Sequence, residues 1–222
     1  MQPEPISKIG PIAAIAGAVL LFVGTYLHPM SADPNVPRAA FAEYAASHHW
    51  VAIHLMQLVG VVLITASLVL LSREMADGPA AEWATLGAAG AIASLSVAAA
   101  LQAVDGVAVK VMVDTWAATP EPTSFTAAFG VRQVEVGLAS IGSLMFGLTA
   151  TVYGVAILID GRLPGWIAVV AIVGGVPTAI AGVVMAYTGF SNQAMLIGMP
   201  SDALLILWLI ALGIYGWKRA AI

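Results

Sequence analysis

The chain contains no cysteine and very little charge. Without cysteine there is no disulfide, no thiolate nucleophile and no cysteine-held iron–sulfur cluster, although that absence does not identify a compartment. Only 9% of the 222 residues are Asp, Glu, Lys or Arg, against roughly 25% in ordinary soluble domains. The net charge of −4 is spread along the sequence. No basic run is present that could neutralise a phosphate backbone, which argues against a nucleic-acid partner. The serines and threonines stand in no recognisable nucleophile setting. No internal repeat relates the two halves, which weighs slightly against an inverted-repeat transporter.

Apolar residues fill the space that charge leaves. They make up 60% of the sequence, more than a soluble globule of this size can hide beneath a polar skin. Charge-free intervals run from Ile9 to Ala32, Tyr44 to Ser72, Trp83 to Val104, Val136 to Ile159, Leu163 to Ser201 and Ala203 to Trp217. A bilayer core needs about 20 apolar residues in helix. The sequence therefore predicts an all-α, polytopic transmembrane helical bundle, a single domain of six spans at about 9–28, 49–72, 83–106, 131–159, 164–188 and 201–218. The first stretch is longer than a signal-peptide core, and His28-Pro29 follows it where a small-residue cleavage pattern would stand, so it reads as a retained helix. Asp77-Gly78-Pro79, Asp160-Gly161 and Pro164-Gly165 mark turns between spans. The fifth interval reads as a span followed by an uncharged loop over 189–200, with Ser201 capping the last helix and Asp202 at its positive end.

Six spans put both termini on one side. Lys8, Arg73, Arg162, Lys218 and Arg219 share it, while Arg38, Lys110 and Arg132 take the other. Five against three favours cytoplasmic termini by the positive-inside rule. Tyr26, Tyr44, Trp50, Trp83, Trp166, Tyr187, Tyr215 and Trp217 fall near the expected interfaces, and Trp208 falls mid-span. Small residues line one face of three spans: Gly90, Ser94 and Ala98; Ala139, Ser143 and Gly147; Ala171, Gly175 and Ala179. Lipid gives helices no hydrophobic drive to associate, so such faces are where backbones approach. Pro177 should kink the fifth span.

The scarce polar residues gather toward one membrane face, the outer one in this topology. His54 and Gln57 lie on span two, Gln102 and Asp105 on span three, and Arg132, Gln133 and Glu135 at the start of span four. Tyr187, Asn192, Gln193 and Asp202 join them from spans five and six. At about 100° per residue, each local pair forms a stripe along its helix. A charge at membrane depth costs roughly 2.5–3.5 kcal/mol on insertion scales, so an ion pair of Asp105 or Glu135 with Arg132 is expected. Asp105, Arg132, Glu135, Gln102, His54 and Tyr187 are the candidate ligand-binding residues. The plainer reading is inert: Arg132 and Glu135 satisfy each other at i,i+3, and the rest snorkel to water.

No metal and no cofactor is expected from local spacing. His48 and His49 point away from the His54 face, and no His-x₃-His or His-Glu-x-x-His pair exists. Spans three to six hold no histidine, so only His28 and His54 remain as a pair. The connection from Asp105 to Arg132 keeps helical character past the membrane, with Lys110 and Asp114 at i,i+4. A short helix is expected from Pro37. These two loops would form a small extracytoplasmic cap over the polar patch.

The segments LHPMSADPN, LQAVDGVAVKVMVDTWA, VRQVEVGLAS and VVMAYTGFSNQAM resemble stretches of uncharacterised bacterial six-span membrane proteins of the domain-of-unknown-function kind. The resemblance implies a six-helix fold and no activity, so no catalytic residue is carried over. Three functional readings follow. The chain is an accessory or structural subunit partnered by another membrane protein; or it binds or transports a small or lipid-like ligand from the outer leaflet; or it is a membrane-embedded enzyme or redox carrier. In the last, Glu135 or Asp105 would act as base and His54 as proton shuttle. In each reading the chain sits in the bilayer, with a bacterial cytoplasmic membrane as the expected site.

Overall fold

Backbone N–H and C=O groups find no water in hydrocarbon, so a chain this apolar must bond to itself as helix. The computed structural model describes residues 8–220 and, among these, is all helix with no strand. The elements are α1 (Ile9–Leu27), α2 (Pro37–Ala46), α3 (Trp50–Glu74), α4 (Ala81–Ala103), a π-helical turn (Val104–Val109), α5 (Lys110–Ala118), α6 (Pro122–Asp160), α7 (Gly165–Thr188) and α8 (Asn192–Arg219). Six helices are long and apolar enough to cross a membrane, α4, the π turn and α5 counting as one. The six-span bundle expected from the charge-free intervals is the fold observed.

Two spans start earlier than their sequence suggests. Helix α8 begins at Asn192, so of the expected loop 189–200 only 189–191 lies outside helix. Ser191 caps it, accepting from the N–H of Ala194 at 3.3 Å. Ser201 is no cap: its hydroxyl donates back to the carbonyls of Ile197 and Gly198. Pro200 does not break the helix, because a proline inside a helix bounded by other helices is tolerated in membranes. Asp202 is thus well inside α8, where Thr178 donates to it at 3.0 Å. Helix α6 begins at Pro122, ahead of the expected start of span four near 131, its first turn fixed by a reciprocal capping box between Glu121 and Ser124.

The 39 residues of α6 rise about 58 Å, nearly twice the roughly 30 Å hydrocarbon thickness. Its N-terminal part packs against α5, and the two form a cap at one end of the bundle. Helix α2 packs on α5, and Phe41, Tyr44, Trp50, Val109, Val113 and Ala128 make a separate apolar core there. Lys110 ties the cap together, donating to the C-terminal carbonyls of α2 at Tyr44 and Ala45 and to Asp114. Tyr44 and Trp50 belong to this core and not to an interfacial belt; Trp50 is 0% exposed.

The main core lies between the spans, with Ile64, Tyr153, Ile167, Leu205 and Trp208 buried in it. Helices α6 and α7 pack with their backbones in contact. A β-carbon on Gly175 would stand 2.6 Å from the carbonyl oxygen of Gly147, and one on Gly147 would meet the backbone of Ala179. At the far end, Arg162 bridges Asp160 and the Glu74 carbonyl, and Arg219 reaches Glu74 at 3.6 Å. Replacing Gly175 by leucine should therefore lower the melting temperature in detergent, since overpacking alone costs about 1–3 kcal/mol. Gly137→Ala, at a helical position with nothing within 4 Å, should not lower it. Tryptophan-fluorescence melting reads both, and equal melting temperatures would refute the close contact.

Candidate functional site

Five elements meet beneath the cap. The C-cap of α1 is His28, α3 delivers Trp50, His54 and Gln57, α4 delivers Gln102, the π turn Asp105, and α6 Arg132 and Glu135. The π turn decides where Asp105 goes. An extra residue per turn shifts a side chain off the 100° helical step, and such turns are frequent at functional sites. Here it brings the backbone against α3: a β-carbon on Gly106 would lie 2.6 Å from the His54 β-carbon. The indole of Trp50 donates to the carbonyl of Asp105 at 2.8 Å.

His54 Nε2 then lies 3.1 Å from Asp105 Oδ2, and its Nδ1 lies 2.7 Å from the carbonyl oxygen of Trp50. A carbonyl only accepts, so Nδ1 carries a proton. His28 repeats the arrangement, with Nδ1 2.9 Å from the carbonyl oxygen of Pro29, and its ring centroid is 5.1 Å from that of His54. One ligating atom from each of His28, His54 and Asp105 falls within 4.8 Å of the others. Burial holds His28 below its ordinary pKa against the opposing pull of Asp105.

Arg132 and Glu135 form a buried ion pair along α6, 7% and 2% exposed. Arg132 also lies over the rings of Tyr44 and Phe190, at 5.5 and 4.9 Å. Gln102 donates to Gln57, which donates to Thr25, both at 3.4 Å. Among the described residues, three buried side-chain polar atoms have no partner, and two of them, Gln102 Oε1 and Asp105 Oδ1, are here. On the cap, burial alone would raise the Glu43 carboxyl. The N–H groups of Ala32 and Ser31, each at 2.9 Å, more than offset that and hold it below the usual range. Burial pushes the Tyr44 hydroxyl up to about 12, against the pull of Arg132.

The expected residues therefore fall into two groups. His54, Gln102, Asp105 and Glu135 are gathered with Arg132 under the cap. The expected interhelical pair of Arg132 with Asp105 does not form. Arg132 turns along its own helix to Glu135, and Asp105, rotated by the π turn, meets His54. Tyr187 is 87% exposed; it lines a neighbouring cavity of about 360 Å³ into which Arg132, Gln133, Asn35 and Thr188 also project, with Phe41, Phe129, Val136 and Phe190 as its apolar walls. Sequence reasoning left His28 out of the site. Its position directly after the apolar run was the available signal, but no local spacing connects it to Asp105.

No protein-family model, curated protein or solved structure matches the chain. What the site does must be argued from its own atoms.

The Arg132–Glu135 pair tests whether this region is assembled as described. Removing one partner of a buried pair strands the other charge and costs about 3–5 kcal/mol, while replacing both by apolar residues is often neutral. Arg132→Met should lower thermal stability markedly, and the double variant Arg132→Met/Glu135→Leu should recover most of the loss. An additive double variant would show the two side chains to be independent.

Proposed function

We propose that this multi-pass membrane protein resides in a bacterial cytoplasmic membrane with both termini in the cytoplasm. We propose further that it binds a small or lipid-like ligand from the outer leaflet, in the cavity beside Arg132. One observation carries this reading. Arg132 uses a single N–H donor on Glu135, out of five on a guanidinium, while its side chain forms part of the cavity wall. The remaining donors, with Gln133 and Asn35, suit a head group that accepts hydrogen bonds, such as a carboxylate, a phosphate ester or a carbonyl. Phe41, Phe129, Val136 and Phe190 suit an apolar remainder. The volume supports the same reading, since pockets for small ligands run from roughly 300 to 1,000 Å³. Tyr187, exposed at the rim, is placed to meet a ligand arriving along the bilayer.

A second reading, that of an accessory subunit, draws on Asp202. It is an acidic side chain on an exposed position of α8, inside a candidate span. Ionisable groups within spans commonly face a partner or a polar path.

Two measurements bear on these readings. For orientation, alkaline phosphatase inserted at Pro120 should be active, and green fluorescent protein fused after Ile222 should fluoresce; the reverse pattern would invert the topology. For the ligand, native mass spectrometry of protein released from nanodiscs of phosphatidylglycerol or phosphatidylcholine should show a retained adduct. Val136→Trp, which fills the cavity, should abolish that adduct. A wild-type protein without an adduct, or an equal adduct on the filled variant, would defeat the ligand reading and leave the subunit reading in place.

A further inference from the structure

We infer that His28, His54 and Asp105 form a binding site for a divalent first-row transition metal, of which zinc best suits the donor set. The inference does not depend on the ligand reading, because none of the three lines the cavity beside Arg132.

The Nδ1 proton of His54 is committed to the Trp50 carbonyl at 2.7 Å. In the neutral ring, Nε2 is then a lone pair, and it faces a carboxylate oxygen at 3.1 Å. Two acceptors at that distance repel unless a cation lies between them, either a proton or a metal ion. A proton would need only His54 and Asp105. It gives no role to His28, whose Nδ1 is also committed to a backbone carbonyl and whose Nε2 is thereby left as a donor to a metal. Metal-ligating histidines almost always bond their second nitrogen to a carbonyl or carboxylate, which fixes the tautomer and aims the ring. Both histidines here have that support before any metal arrives.

Charge leads the same way. Arg132 is neutralised by Glu135 on its own helix, and Lys110 by Asp114. Asp105 is left with no cationic Arg or Lys partner among the described ion pairs, and its second oxygen is buried with no hydrogen-bond partner. A divalent ion would neutralise Asp105 through one carboxylate oxygen and take up the free lone pairs of the two imidazoles together. Two imidazoles with one carboxylate suit zinc, or iron in an open facial arrangement, and do not suit calcium or magnesium, which favour oxygen. Three donors about 2.0–2.1 Å from a tetrahedral ion stand about 3.3 Å apart, closer than the 4.8 Å limit seen here. His28, at the end of α1, needs only a small shift to close that gap. Three protein ligands leave a coordination position for water or an incoming molecule.

The test uses the full chain, purified in detergent with a tag free of histidine, stripped with chelator and dialysed against Co²⁺ and then Zn²⁺. The expected result is one Co²⁺ per chain with visible ligand-field absorption, displaced stoichiometrically by Zn²⁺. His54→Gln and Asp105→Asn should weaken binding by about tenfold or more, the loss seen even when a supporting group is removed. Their folding is checked by size exclusion. Should those buried variants fail to fold, His28→Gln at the half-buried edge carries the test and should weaken binding to the same degree. The double variant His48→Gln/His49→Gln, at exposed positions, should bind as wild type does. Wild-type protein with no stoichiometric metal, a His28→Gln variant that binds like wild type, or binding abolished by the His48/His49 variant would each overturn the inference.

Discussion

A polar group carried into the membrane must find its partner within the chain, and the structure is organised around that requirement. The backbone meets it by forming helix. Side chains meet it by position. The ionisable residues collect at the two ends of the bundle, where Glu74, Asp160, Arg162 and Arg219 interlock at one end and the His54–Asp105 and Arg132–Glu135 pairs lie at the other. The two ends differ in burial. At the first end Arg162 is open to the surroundings, whereas at the second the pairs are covered by α2, α5 and the start of α6, so each interaction acts in a low-dielectric setting that strengthens a satisfied group and penalises an unsatisfied one.

Close packing between spans is what makes that second end possible. Where Gly106 meets His54, the absence of a side chain brings the π turn near enough to α3 for neighbouring polar groups to touch. The cap adds a second layer of control. Tyr44 and Trp50, their ring centroids 4.4 Å apart and the planes tilted by 39°, wall the site with aromatic surface, and Trp50 also uses its indole N–H to hold the π turn. A single residue thus links the apolar core of the cap to the placement of Asp105.

The spans were legible in the sequence because exclusion of charge from hydrocarbon is a strong and local rule. Helix α2, the extension over Lys110–Ala118 and the Lys110–Asp114 pair were legible for the same reason: each depends on residues a few positions apart. The start of α8 was not, because Pro200 signals a break in water and is tolerated among packed helices. The partners within the site were not legible either. Asp105 meets His54 across 51 positions, and its direction depends on a π turn that no periodicity of 3.6 anticipates. Tyr187 fits the stripe pattern, yet it faces outward because α7 turns its small-residue face, through Gly175 and Gly182, toward α6.

Those long-range placements also separate an inert ion pair from a site. An arrangement evolved only to tolerate charge should end with donors and acceptors matched and surplus groups removed. Arg132 and Glu135 meet that condition in charge, each neutralising the other. Around Asp105 the balance is different: two histidines each commit one nitrogen to a backbone carbonyl, a carboxylate oxygen faces one of them, and two further oxygens, on Gln102 and Asp105, are buried without donors. The surplus is all of one kind, acceptors and lone pairs without protons to share. Stability alone gives no reason to concentrate such groups beneath a lid, because each unsatisfied buried acceptor costs about 1–3 kcal/mol. A bound cation is the simplest species that turns this excess of electron pairs from a cost into a coordination shell.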